Sequence, residues 1–163
     1  MKKLIVFTAS ALLLAACSST QNGAELYGNN AGGWQDDIDI TNLSATSLTK
    51  KLRKTGDDVV YFSFNESGLD SEAKSTLRDQ ARWLKENPQA LIVIEGRCDE
   101  RGTREYNLAL GDQRANAARS YLIAQGISAK RIRTISYGKD KPVVLGSDEE
   151  SWAKNRSATT VAY

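Results

Sequence analysis

The chain has no histidine in 163 residues, and only two cysteines, two prolines and one methionine. Without histidine there can be no Ser-His-Asp or Cys-His catalytic group. The commonest general base and the commonest zinc ligand are missing together. Neither a cofactor motif nor a metal-ligand cluster takes their place. Two cysteines, Cys17 and Cys98, are too few for a disulfide framework. The prolines, Pro88 and Pro142, serve as element boundaries. No internal repeat or low-complexity tract is present. After residue 17 no apolar run approaches the roughly 20 residues that a membrane-spanning helix requires.

The amino terminus carries the first positive signal. Lys2 and Lys3 precede an apolar run from Leu4 to Ala16, broken by Thr8 and Ser10, which ends in Leu14-Ala15-Ala16-Cys17. A basic start, a short apolar stretch and small residues before a cut site describe a secretory signal peptide. Leu-Ala-Ala-Cys resembles the lipobox of bacterial lipoproteins. The resemblance implies removal of residues 1–16 and lipidation of Cys17, which becomes the first mature residue. More than one acyl chain is enough for stable anchoring without a span. Ser18 stands where an aspartate would retain such a lipoprotein in the inner membrane. The expected location is therefore the outer membrane, with the body in the periplasm.

Cleavage would remove Lys2 and Lys3 and no acid, which takes the formal net charge from +2 to 0. A neutral body argues against broad electrostatic capture of nucleic acid. With Cys17 lipidated, Cys98 has no partner for an intramolecular disulfide and suits a small buried position.

Residues 17–55 read as the lipidated cysteine and a tether. They are rich in Ser, Thr, Asn, Gly and Asp and show no sustained apolar period. The stretch Leu43 to Leu52 has room for a short helix. Residues 56–163 read as one domain of roughly 108 residues, enough for its own core. Val59 to Phe64 has strand composition. Asp70 is placed to cap a helix on which Ala73, Leu77, Ala81 and Leu84 share a face, ending at Asn87-Pro88. Leu91 to Ile94 suits a buried strand, and Gly96 to Thr103 a polar turn. Leu108, Ala115, Ala118 and Leu122 mark a second helix stopped by Gly126. Ile132 to Tyr137 reads as a third strand, Asp148 to Asn155 as a short helix and Thr159 to Tyr163 as a last strand. This order predicts an α/β (α+β) sandwich, with helices on one face of a mixed four-stranded sheet.

Charged residues of both signs crowd the exit of the second strand, where α/β sheets favour ligand sites. The run from Gly96 to Ala115 includes Asp99-Glu100-Arg101-Gly102-Thr103, Glu105-Tyr106-Asn107, Leu110-Gly111 and Arg114-Ala115. It resembles the OmpA-like domain and, more narrowly, the peptidoglycan-associated lipoproteins. Tyr61 to Phe64, Ser136 to Pro142 and Asn155-Arg156 resemble further blocks of that family. The departures are Arg97 in place of a histidine, and Ser63 and Asn65 in place of acidic residues.

The resemblance implies noncovalent binding of the peptidoglycan stem peptide through diaminopimelate, whose far end carries an ammonium and a carboxylate. Asp99 would take the ammonium and Arg114 the carboxylate, since arginine presents paired donors and lysine does not. On chemistry alone, an ion pair between Asp99 and Arg114 at a helix start is the simpler account. Arg101, Leu110, Phe64 and Asn65 match positions that contact the peptide in the family, and Asn107 would brace the loop. Arg97 falls on the other face of its strand and receives no binding role. Tyr61, Tyr106, Tyr121 and Tyr137 read as packing residues. The family also implies membership of the Tol-Pal system, with TolB competing for a surface that overlaps the wall site, and a role in envelope integrity and constriction at cell division. Two alternatives stand beside this. One is a wall-binding lipoprotein of another envelope assembly. The other is a wall hydrolase using paired carboxylates among Glu66, Asp70, Asp99 and Glu100.

Overall fold

A computed structural model describes residues 47–163. The expected signal peptide, Cys17 and most of the expected tether lie outside the described residues.

The chain runs α1 (Ser47–Thr55), β1 (Val59–Tyr61), α2 (Ser71–Glu86), β2 (Ile92–Arg97), α3 (Arg104–Ala124), a short turn of 3₁₀-helix (Ala129–Arg131), β3 (Ile132–Gly138), α4 (Glu149–Asn155) and β4 (Ser157–Ala162). The four strands form one mixed sheet in the order β1-β4-β2-β3. β4 runs antiparallel to both β1 and β2, and β3 runs parallel to β2. This is the mixed sheet and α/β class that the order of elements predicts.

One face of the sheet carries the core. Val60, Ile92, Ile94, Ala158 and Ala162 meet Ala73, Leu77, Ala81 and Leu84 of α2 and Ala115, Ala118 and Leu122 of α3. Burial of such apolar area is the main stabilising term. Both long helices begin at side-chain caps, where an oxygen accepts one of the otherwise unpaired first-turn N–H groups. The Asp70 carboxylate accepts from the Ala73 N–H at 2.7 Å, and the Thr103 hydroxyl from the Tyr106 N–H at 3.2 Å. The far end of α2 is closed by Arg131, whose guanidinium donates to the carbonyls of Leu84, Asn87 and Ala90.

Two glycines set how closely α3 lies on the sheet. A Cβ on Gly96 would stand 1.9 Å from the Gly111 carbonyl oxygen, and one on Gly111 would stand 2.4 Å from the Ser136 hydroxyl. Backbone therefore meets backbone where α3 crosses β2, and the residues flanking Gly111 sit over the strand's exit.

Several boundaries differ from the sequence reading. The folded part already includes α1, inside the expected tether and overlapping the short helix for which Leu43 to Leu52 left room. Leu52 is fully buried in the core, and the Thr49 hydroxyl donates to the Ala162 carbonyl at 3.0 Å and accepts from the Ala162 N–H at 2.8 Å. An amphipathic helix of 9 residues leaves too few apolar positions to show a clear period. β1 stops at Tyr61 instead of Phe64, because the chain turns at Ser63–Glu66, with Asn65 at φ 59°. β2 continues through Gly96 and Arg97, which the sequence assigns to a turn. Arg97 does lie on the face away from the helices, bonded to Glu95, the Thr159 hydroxyl and the Lys141 carbonyl. Tyr61 and Tyr106 are half exposed and are not core residues.

Candidate functional site

A cavity of about 100 Å³ opens at the exits of β1 and β2, over the first half of α3. It is lined by Phe64, Asn65, Cys98, Asp99, Arg101, Gly102, Tyr106, Asn107, Leu110 and Arg114. Asp99, Arg114, Arg101, Asn107, Leu110, Phe64 and Asn65, the candidate residues from the sequence, are thus brought to one place. Glu66, Asp70 and Glu100, the other carboxylates of the hydrolase alternative, do not line it.

Arg114 forms the floor and is 1% exposed. Its Nε donates to the Glu66 carbonyl at 2.8 Å, one Nη to the Arg97 carbonyl at 2.8 Å and the other to the Ser63 carbonyl at 3.2 Å. These bonds draw the β1 exit and the β2 exit onto α3, and they explain why β1 ends early. A guanidinium carries five N–H donors, and beyond these three carbonyls Arg114 also hydrogen-bonds the Cys98 thiol beside it. Among the described residues no carboxylate lies within ion-pair distance of Arg114. Burial pushes its pKa down, opposed first by Cys98 and then by Asp99. A buried cation without a carboxylate partner is costly, and it favours any anion that can reach it.

Asp99 forms the wall and is 4% exposed. It is paired, but not with Arg114 as the ion-pair account expects. Its Oδ1 accepts from the backbone N–H of Arg101 at 3.1 Å and from Arg101 Nε at 3.2 Å. Its Oδ2 accepts from Arg101 Nη2 at 2.6 Å and Arg156 Nη1 at 3.5 Å. Burial pushes the Asp99 carboxyl up. The side-chain and backbone hydrogen bonds from Arg101 outweigh it and hold the carboxyl below the usual carboxylate range.

Asn107 braces the loop between them. Its side-chain amide donates to the carbonyls of Arg101 at 2.8 Å and Thr103 at 3.0 Å, across the turn made by Gly102 at φ 91°. A left-handed residue there suits glycine. Cys98 is buried, its thiol against the Asn107 carbonyl at 3.3 Å, and burial pushes its pKa up. Such a thiol is inert.

Sequence reasoning missed three contributors. Tyr106 stands half exposed at the rim and its hydroxyl donates to the Asn65 side-chain oxygen. Trp152 of α4 stacks on Arg101, whose guanidinium carbon is 4.1 Å from the ring centre and also 4.1 Å from that of Phe64. Arg156 is buried, donating to the Phe62 carbonyl at 3.0 Å and to Glu149 at 2.8 Å as well as to Asp99. Trp152 lies on α4 and Arg156 caps the end of that helix just before β4, more than 50 positions along the chain from Asp99, so local spacing gives no sign of them.

Three guanidiniums thus surround one buried carboxylate. Two of them are matched by Asp99 and Glu149, and Arg114 is not. The cavity is fitted to a small group with a carboxylate. Among the described residues no cluster of three His, Cys, Asp or Glu is placed to hold a metal, and no helix is long and apolar enough to cross a membrane.

The OmpA family model matches residues 61–156, which span the cavity and the chain from α2 through α4. A peptidoglycan-associated lipoprotein of Mesorhizobium japonicum is 42% identical over 152 residues, covering 91% of this chain and 84% of its own. The chain belongs to the OmpA family, among the peptidoglycan-associated lipoproteins. That of Haemophilus influenzae is 38% identical over 161 residues, 99% of this chain and 97% of its own. The crystal structure of the peptidoglycan-associated lipoprotein from Burkholderia pseudomallei superposes with a TM-score of 0.64 at 45% identity, covering 66% of this chain and 91% of that one. None of these relatives is named as an enzyme.

Proposed function

We propose that this protein is an outer-membrane lipoprotein, acylated at Cys17, that anchors the outer membrane noncovalently to peptidoglycan. Its ligand is the diaminopimelate of the stem peptide. The observation that carries the reading is Arg114, a buried guanidinium with no carboxylate partner among the described residues, with a buried carboxylate, Asp99, on the wall of the same cavity. The far end of diaminopimelate brings a carboxylate for Arg114 and an ammonium for Asp99. An ordinary lysine side chain brings the ammonium alone and leaves Arg114 unmatched. Phe64, Tyr106 and Leu110 supply apolar walls for the methylene stem.

With α1 in the fold, residues 18–46 connect the lipid to the domain. The family relationship further supports a place in the Tol-Pal system, with TolB competing for the same face and a part in constriction at cell division. Measuring TolB binding with and without wall fragments checks this, and independent binding of the two would rule it out.

The primary test is co-sedimentation of the full chain, in detergent, with purified diaminopimelate-type peptidoglycan. The parent is expected to sediment, and Asp99→Asn and Arg114→Lys, checked for folding by circular dichroism, to remain in solution. Equal sedimentation of all three would move the wall site elsewhere.

A further inference from the structure

The carboxylate that the proposed ligand needs is already taken. A carboxylate offers about four lone-pair positions, and Asp99 has four donors on it, three of them from Arg101. An incoming ammonium finds no acceptor there unless one donor leaves. Arg156 cannot leave cheaply, because its side chain is 9% exposed and is also tied to the Phe62 carbonyl and Glu149. The backbone N–H of Arg101 is fixed as well, since Asn107 holds the Arg101 carbonyl. The side chain of Arg101 is the one removable donor. It is 33% exposed and opens to solvent between the rings of Phe64 and Trp152. Glu149 and Glu100 are the other carboxylates that act on it, each already accepting one bond, from Arg156 at 2.8 Å and from Trp152 at 3.1 Å.

We propose that Arg101 is an internal stand-in for the ligand's ammonium, and that binding is an exchange on Asp99. In the free protein the guanidinium keeps the buried carboxylate compensated. On binding, the ligand's ammonium takes Oδ2 and the side-chain share of Oδ1, and Arg101 swings out toward the carboxylates of α4 and the loop. Arg101 thereby sets the affinity of the site by competing for it. The proposal rests on the cavity being the diaminopimelate site.

Titration calorimetry of the full chain with meso-diaminopimelate tests it, on the parent, Arg101→Gln and Arg101→Lys. Losing a competing charge-assisted fork should tighten binding roughly tenfold in Arg101→Gln, with Arg101→Lys between it and the parent. A second measurement needs no substitution. The Nε–H resonance of Arg101 in the parent should lose its protection from solvent exchange when ligand is added. Binding that Arg101→Gln leaves unchanged or weakens, or an Arg101 Nε–H that stays protected, would overturn the exchange and leave the cavity as the wall site. No binding by the parent or either variant would overturn both.

Discussion

At the scale of single residues, Arg114 carries two duties that separate by substitution. Its guanidinium holds the carbonyls of Ser63, Glu66 and Arg97. Arg114→Ala leaves all three without their donor, at about 1 kcal/mol or more each, so a loss of roughly 3 kcal/mol is expected in urea unfolding. Arg114→Lys keeps the charge and loses the geometry. It is expected to keep more of the stability but to weaken wall binding by roughly tenfold or more, since a lysine meets a carboxylate as a point charge. Asp99 gives a pH signature. Its carboxyl is lower in the folded state than in the unfolded chain. Its contribution is complete above the ordinary carboxylate range near pH ~4 and is lost as the pH falls through the folded value. The thermal midpoint of the parent should drop over that acid window, and Asp99→Asn should remove that part of the drop while lowering the midpoint at neutral pH. The identity of these residues was legible from the run Asp99 to Arg114. Their pairing was not, because nothing in the spacing says that Arg101 rather than Arg114 sits on the carboxylate.

At the scale of elements, the site depends on how α3 meets β2. Gly96 and Gly111 let two backbones touch, and Arg114 and Asn107 flank that contact on α3. Gly96→Ala forces a methyl against the Gly111 carbonyl, which cannot swing aside as a side chain could. The expected cost is roughly 3 kcal/mol by urea unfolding, together with weaker wall binding as α3 lifts. Long periodic elements were legible in the chain. α2 and α3 declare themselves by apolar spacing and by Asp70 and the Gly126 stop. Short or mixed ones were not. β1 shows six residues of strand composition and uses three, because Arg114 bends the remainder into a turn. β2 extends into Gly96 and Arg97, since glycine and arginine give no strand signal of their own.

At the scale of the whole molecule, the domain begins earlier than its composition suggests. Leu52 fills a core position, and Leu52→Ala is expected to cost about 2–5 kcal/mol in thermal or urea unfolding; a change near zero would make α1 an ornament. The polar sequence around it hides this, for one buried leucine and one buried threonine do not make a period. The strand-helix-strand order foretold the parallel pairing of β2 with β3, but not the place of β4 between β1 and β2, since local pattern cannot say where a returning strand inserts. That place has a consequence in time. β4 ends the chain, yet it lies between β1 and β2, and Leu91 and Tyr163 close it with a reciprocal pair of backbone bonds. Protein is made from its amino terminus. Until β4 is available, β1 has no neighbour in the sheet and β2 has only β3, and unmade pairings of such long separation delay closure. Arg156, which steadies Asp99, also arrives only at that moment. A chain without β4 therefore keeps only the β2–β3 pair of its sheet and an unfinished site.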